Sequence, residues 1–176
     1  MNMILENIVC IQSHIKNTMS IKQYKNGIIG IDTDANVIYL NLYTQTIQKI
    51  VHIDSKGFIM DCMMVDAAND TCFVMCPNKI IHVDIMAHTI LSEKNIDFNI
   101  HNCTYYKDNT FIGLIQNSIC LYNYDTNTVT TLLDTKESVS CVCKMVNRTL
   151  DTFEYISNKK LYVYHIQTNI LESKQT

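Results

Sequence analysis

The chain has 176 residues, 47% of them hydrophobic, with a formal net charge of −3 and a pI near 6.0. That length and apolar content suit one domain with a buried core and exclude a disordered tail. The 14 basic residues, of which Arg148 is the sole arginine, form no cluster, so direct nucleic-acid binding is disfavoured.

The chain opens with "MNMILENIVCIQSHIK", which has no basic leader and carries Glu6 within its apolar part, so a secretory signal is not expected. No apolar run approaches the length of about eighteen residues that a membrane span needs. The expectation is an intracellular chain, cytoplasmic or nuclear, that makes no membrane contact. Its 8 cysteines then read as reduced, mostly buried thiols rather than a disulfide framework. The piece "NIVCIQSHI", Asn7 to Ile15, is strand-like and precedes the first complete unit. It is expected either to add a strand to the last unit or to leave an unpaired edge.

From there the chain repeats itself. "KNGIIGID" leads to "VIYLNLYT" at Val37 and then to "IQKIVHI". "FIMDCMMV", "NDTCFVMC", "IIHVDIMA" at Ile80 and "ILSEKNI" follow. "IHNCTYY", "DNTFIGLI", "ICLYNYDT" at Ile119 and "VTTLLD" make a third unit. "SVSCVCKMV", "LDTFEYIS", "LYVYHIQT" at Leu161 and "ILESK" make a fourth. The third runs align without gaps: an aliphatic first column (Val37, Ile80, Ile119, Leu161) and a polar fifth (Asn41, Asp84, Asn123, His165). Successive fifth-column residues lie 43, 39 and 42 positions apart, a period suited to propeller blades. Both faces of these runs are apolar, as in a strand buried between neighbours. The fifth column is where each strand ends and a side chain reaches turn backbone. With only 4 Gly, Asn and Asp must supply the left-handed turn positions.

Helical periodicity is absent, and four strands per unit in four units predict an all-β fold, a four-repeat β-propeller or partial propeller with four antiparallel strands per repeat. One domain, 1–176, is expected, with approximate repeats 1–50, 51–94, 95–134 and 135–176. The pattern aliphatic-x-x-[Leu/Val/Tyr]-[Asn/Asp/His]-x-x-Thr resembles the third strand of a WD-repeat blade. Leu40-Asn41, Val83-Asp84, Tyr122-Asn123 and Tyr164-His165 stand where that family has Trp-Asp. With no Trp and no Gly-His pair opening a unit, the resemblance is to a degenerate WD-repeat-like propeller whose hydrogen-bonded tetrad is not intact.

Chemistry is sparse. Cys72 and Cys76 are four apart and Cys141 and Cys143 two apart, neither being a zinc knuckle. Cys62, Cys103 and Cys143 recur 22, 20 and 22 residues before the polar column, which fits small packed side chains on first strands. "IDTDAN", with Asp32, Asp34 and Asn36, lacks the Gly and terminal Glu of a calcium loop and reads as a tight turn. His82 and His165 fall on the repeating strand, while His14, His52, His88 and His101 share no column. No catalytic residues, metal site or cofactor are expected. Tyr105 and Tyr106, beside a turn, are the candidate interface. The expected function is a non-enzymatic protein–protein interaction scaffold or subunit of a complex, partnered by another protein or a second copy of itself. The alternative is a propeller that binds a small ligand or carbohydrate.

Overall fold

The computed structural model describes residues 18–54, 63–76, 78–135, 139–147, 151–157 and 160–174. Among them every regular element is a strand, in keeping with the density of β-branched and aromatic residues. The first sheet holds β1 (Thr18–Tyr24), β2 (Gly27–Asp32), β3 (Asn36–Asn41) and β4 (Thr46–His52). The second holds β5 (Met63–Asp66), β6 (Thr71–Cys76), β7 (Lys79–Asp84) and β8 (Thr89–Asn95). The third holds β9 (Ile100–Lys107), β10 (Thr110–Ile115), β11 (Ser118–Asn123) and β12 (Thr128–Asp134). The fourth holds β13 (Val139–Asn147), β14 (Thr152–Ser157), β15 (Lys160–His165) and β16 (Ile170–Lys174). Each is an antiparallel meander, so the all-β expectation of four strands per repeat holds. Asn7–Ile15, Cys62 and Pro77 lie outside the described residues, as does the side chain of Cys143.

The third strands carry the repeat into three dimensions. β3, β7 and β11 share one burial pattern: columns one, two and four are buried, columns three and five partly so. Adjacent residues point to opposite faces, so both faces of these strands are covered. The chain divides into two compact units, residues 1–95 and 96–176. In the first, Tyr24, Ile29, Ile31 and Val37 of the first sheet pack with Met63, Cys72, Val74, Ile81 and Val83 of the second. In the second, Tyr106, Ile112, Leu114 and Ile119 pack with Phe153, Tyr155 and Tyr164. Each core is thus shared by two sheets, and burying each such side chain contributes about 1.5–3 kcal/mol.

The turns show how a glycine-poor chain bends. No glycine among the described residues has positive φ; Asn and Asp hold left-handed positions at Asp70, Asn78, Asn102, Asp108, Asn109, Asn127, Asp151 and Asn169. Lys25, Ala35, Gln45, Gln116 and His88 hold others, so Asn and Asp do not supply them all. Glycine is instead needed where elements touch. A Cβ on Gly27 would lie 2.1 Å from the carbonyl oxygen of Leu40 on β3. On β9, a bulge around Asn102 (φ 50°) faces Gly113, whose Cβ would meet Ile100 Cγ1 at 2.7 Å.

Two substitutions with opposite signs follow. Gly27→Ala is expected to lower stability by about 2 kcal/mol or more, because backbone must move to admit the methyl group. Gln45→Gly is expected to raise it by about 0.5–1 kcal/mol by relieving left-handed strain at an exposed turn. Urea unfolding midpoints check both; an unchanged midpoint for Gly27→Ala would refute the packing account.

Candidate functional site

In each sheet the first-to-second and third-to-fourth turns emerge at one end, because neighbouring strands run in opposite directions. The polar column organises this end. Asn41 Oδ1 accepts the backbone N–H groups of Tyr43 (2.9 Å) and Thr44 (3.2 Å). Asp84 Oδ1 accepts those of Met86 (2.9 Å) and Ala87 (2.7 Å). Asn123 Oδ1 accepts the N–H (2.9 Å) and the hydroxyl (3.0 Å) of Thr126. His165 differs: its Nε2 lies 3.4 Å from a Glu172 carboxylate oxygen, without hydrogen-bond geometry. All four third-to-fourth turns have four residues and close on a left-handed one: Gln45, His88, Asn127 and Asn169. His88, expected at no shared column, therefore occupies one.

A second device joins sheets. The Tyr24 hydroxyl on β1 donates to Asp70 Oδ1 (2.7 Å), and Lys25 Nζ reaches the same oxygen (2.7 Å). In the other unit the Tyr106 hydroxyl donates to Asp151 Oδ1, Lys107 Nζ lies 3.1 Å from it, and the Gln167 amide donates to Oδ2. Each lysine also stands over its neighbouring tyrosine ring, at 5.2 and 4.7 Å from the centroid. Burial and the adjacent carboxylate push both tyrosines above their usual range. The donated hydrogen bonds hold both carboxyls below theirs, with Lys25 the larger influence at Asp70 and Tyr106 at Asp151. The backbone carbonyls of these aspartates serve too, accepting the N–H groups of Ile85 and Ile166 at 2.9 and 2.8 Å.

The two units present different side chains at this end. In the second unit, Tyr122 donates to Asn127 Oδ1 and Tyr164 to Asn169 Oδ1, both at 2.8 Å, pinning the turns from beneath. The second turn residues there are polar and engaged: Asp125 accepts from Asn109, and Gln167 donates to Asp151. In the first unit the same positions hold Tyr43, 80% exposed, and Met86, 64% exposed. Met86 Sδ lies 3.7 Å from Lys25 Nζ, and Gln48 and His88 meet at 3.1 Å.

The other sequence candidates lie elsewhere. Tyr105 and Tyr106 are 9% and 4% exposed, because β9 turns them into the core and Tyr106 is committed to Asp151. Their burial removes them from the surface that an interface needs. Asp32 Oδ1 accepts the N–H groups of Asp34 and Asn36, at 2.9 and 2.8 Å, so its carboxylate serves the turn. Burial pushes the Cys72 thiol up to about 12 and raises those of Cys76 and Cys120, which suits packed thiols rather than nucleophiles. Among the described residues no three His, Cys, Asp or Glu side chains converge as metal ligands. Nor is any helix among them long and apolar enough to cross a membrane.

No protein-family model matches the chain, and no curated protein matches it significantly. Solved structures do. The β-propeller domain of Myceliophteria thermophila Cps50 (Swd1) matches with a TM-score of 0.68 and 12% identity, over 92% of this chain and 55% of that one. U3-55K matches at 0.62 and 9%, over 91% and 52%. An oligogalacturonate lyase in complex with manganese matches at 0.61 and 12%, over 84% and 50%. The chain spans about half the length of each. Such low identities establish the fold alone: WD-repeat-like, of propeller type. Since one of the three is a lyase, the fold itself decides nothing about catalysis.

The clamps predict acid sensitivity. Both aspartates have folded-state pKa values below the ordinary 3.8, so their contribution is full above that value and lost as pH falls through the folded one. Asp70→Asn with Asp151→Asn should therefore be less stable than the parent at pH 7 and lose less on going to pH 2. Parallel acid profiles for parent and variant would contradict the assignment.

Proposed function

We propose that this propeller-type chain is a non-enzymatic protein-interaction scaffold or a subunit of a larger complex, and that it meets its partner at the turn end of the first unit. The observation that carries the proposal is the pair Tyr43 and Met86, exposed at positions where the second unit has Asp125 and Gln167. The second unit builds its turns with polar residues at these positions, so neither an aromatic nor a thioether is required to make the turn. Tyr and Met are side chains that interfaces favour: Tyr joins apolar area to a hydroxyl, and Met adapts to irregular surfaces. Ile47 of β4 adds exposed apolar area in the first unit. Lys25, paired with Asp70, stands 3.7 Å from Met86 Sδ.

The partner class is protein, either another chain or a second copy of this one. The test is affinity capture from the native source with the intact chain, alongside light scattering of the isolated chain to detect a second copy. Tyr43→Ser with Met86→Gln should reduce recovery of a stoichiometric partner by a factor of about 30, as expected for interface anchors. Ile170→Ser, which removes an exposed apolar group from the second unit, should leave recovery unchanged. Equal recovery by the double variant, with parental stability, would move the interface elsewhere.

A further inference from the structure

We infer that the chain is a tandem pair of two-sheet modules, and that the clamped sheet pair, rather than the single sheet, opens and closes as one piece. Three independent alternations carry this. The first-to-second turn has two residues in the first sheet, four in the second and two in the third. The residue entering the second strand is Asn26, Asp70, Asn109 and Asp151 in turn, so the carboxylate appears in every other sheet. Tyr-Lys ends the first strand region only at Tyr24-Lys25 and Tyr106-Lys107, 82 residues apart, while the two aspartates are 81 apart. A repeat of about forty residues therefore sits inside one of twice that length.

The alternation is functional in the structural sense, because its parts meet. The sheet with Tyr-Lys donates and the sheet with Asp accepts, in both units. Where the column carries Asn instead, the Asn109 amide turns to Asp125 in its own sheet. Tyr24, Ile31 and Val37 share a core with Cys72, Val74 and Val83, and Tyr106 and Ile112 share one with Phe153 and Tyr164. In the first unit Ser20 Oγ on β1 also accepts the N–H of Met63 on β5, at 3.3 Å. In the second, the Tyr164 hydroxyl reaches the Leu132 carbonyl on β12 at 3.0 Å. Shared core residues and side-chain bonds thus join the sheets within each pair.

Hydrogen exchange of the intact chain, followed by mass spectrometry, tests this. Tyr106→Phe keeps the packed ring and removes only the donated bond to Asp151. It should speed exchange of protected amides in β9–β12 and β13–β16 together, by roughly tenfold, and leave β1–β8 unchanged. Tyr24→Phe should do the converse. Gln167→Ala, which deletes a single exposed donor to Asp151, gives a milder version of the first experiment. Acceleration confined to one sheet, or spread evenly over the chain, would overturn the inference.

Discussion

A buried phenol has to place its hydroxyl on an acceptor, and in this protein that requirement ties one sheet to the next. Tyr24 and Tyr106 lie within the cores of their units, yet each hydroxyl ends on an aspartate at a left-handed turn of the following sheet. Each aspartate carbonyl accepts from the third-to-fourth turn of its own sheet while its carboxylate faces the neighbour. One residue thereby joins two turns of one sheet and the first strand of another. The adjacent lysine neutralises the carboxylate and covers the ring, so the bond is charge-assisted and partly shielded from water.

Because that end of each sheet is fixed by the same scaffold, the side chains placed on it are free to differ. The second unit uses them for its own turns, with Tyr122 and Tyr164 held by Asn127 and Asn169. The first unit has Leu40 and Val83 in that column, and the side chains of Asn41 and Asp84 cap its turns, with the Asn26 and Asp70 carbonyls accepting from Leu42 and Ile85. Tyr43 and Met86 are exposed at the second position of these turns. On a repeat scaffold the residues that build the turns and those exposed on them are separable, so the fold does not dictate what the exposed positions carry.

The repeat was legible in the sequence because its signal is local. An aliphatic position, a polar position four residues on and a turn residue after it fall within one strand and one turn, so spacing alone reveals them. The first strand, Thr18–Tyr24, is not legible in the sequence, because between Ser20 and Tyr24 it exposes Ile21, Lys22 and Gln23 and shows no alternation. The clamps were equally hidden. Tyr24 and Asp70 are 46 residues apart, and pairing them requires knowing that two sheets pack through those ends. The signal was present as Tyr-Lys at two places and Asp at two others, about eighty residues apart, but it lies in a period twice that of the obvious one. Tyr105 and Tyr106 show the same limit, since their burial is not legible from their place beside a turn. A tyrosine beside a turn is an exposed anchor or a buried donor depending on an acceptor that only the fold supplies.

The most direct test of this account is a double-mutant cycle between Tyr24→Phe and Asp70→Asn, read by urea unfolding of the intact chain at neutral pH. If the clamp joins the two sheets, the double variant loses clearly less stability than the two single losses taken together, because each substitution removes the same bond. The pair Tyr24→Phe and Asp151→Asn, drawn from different clamps, is then additive. Additivity for Tyr24 and Asp70 would mean that the hydroxyl and the carboxylate do not stabilise the fold through each other, and the central claim would fail.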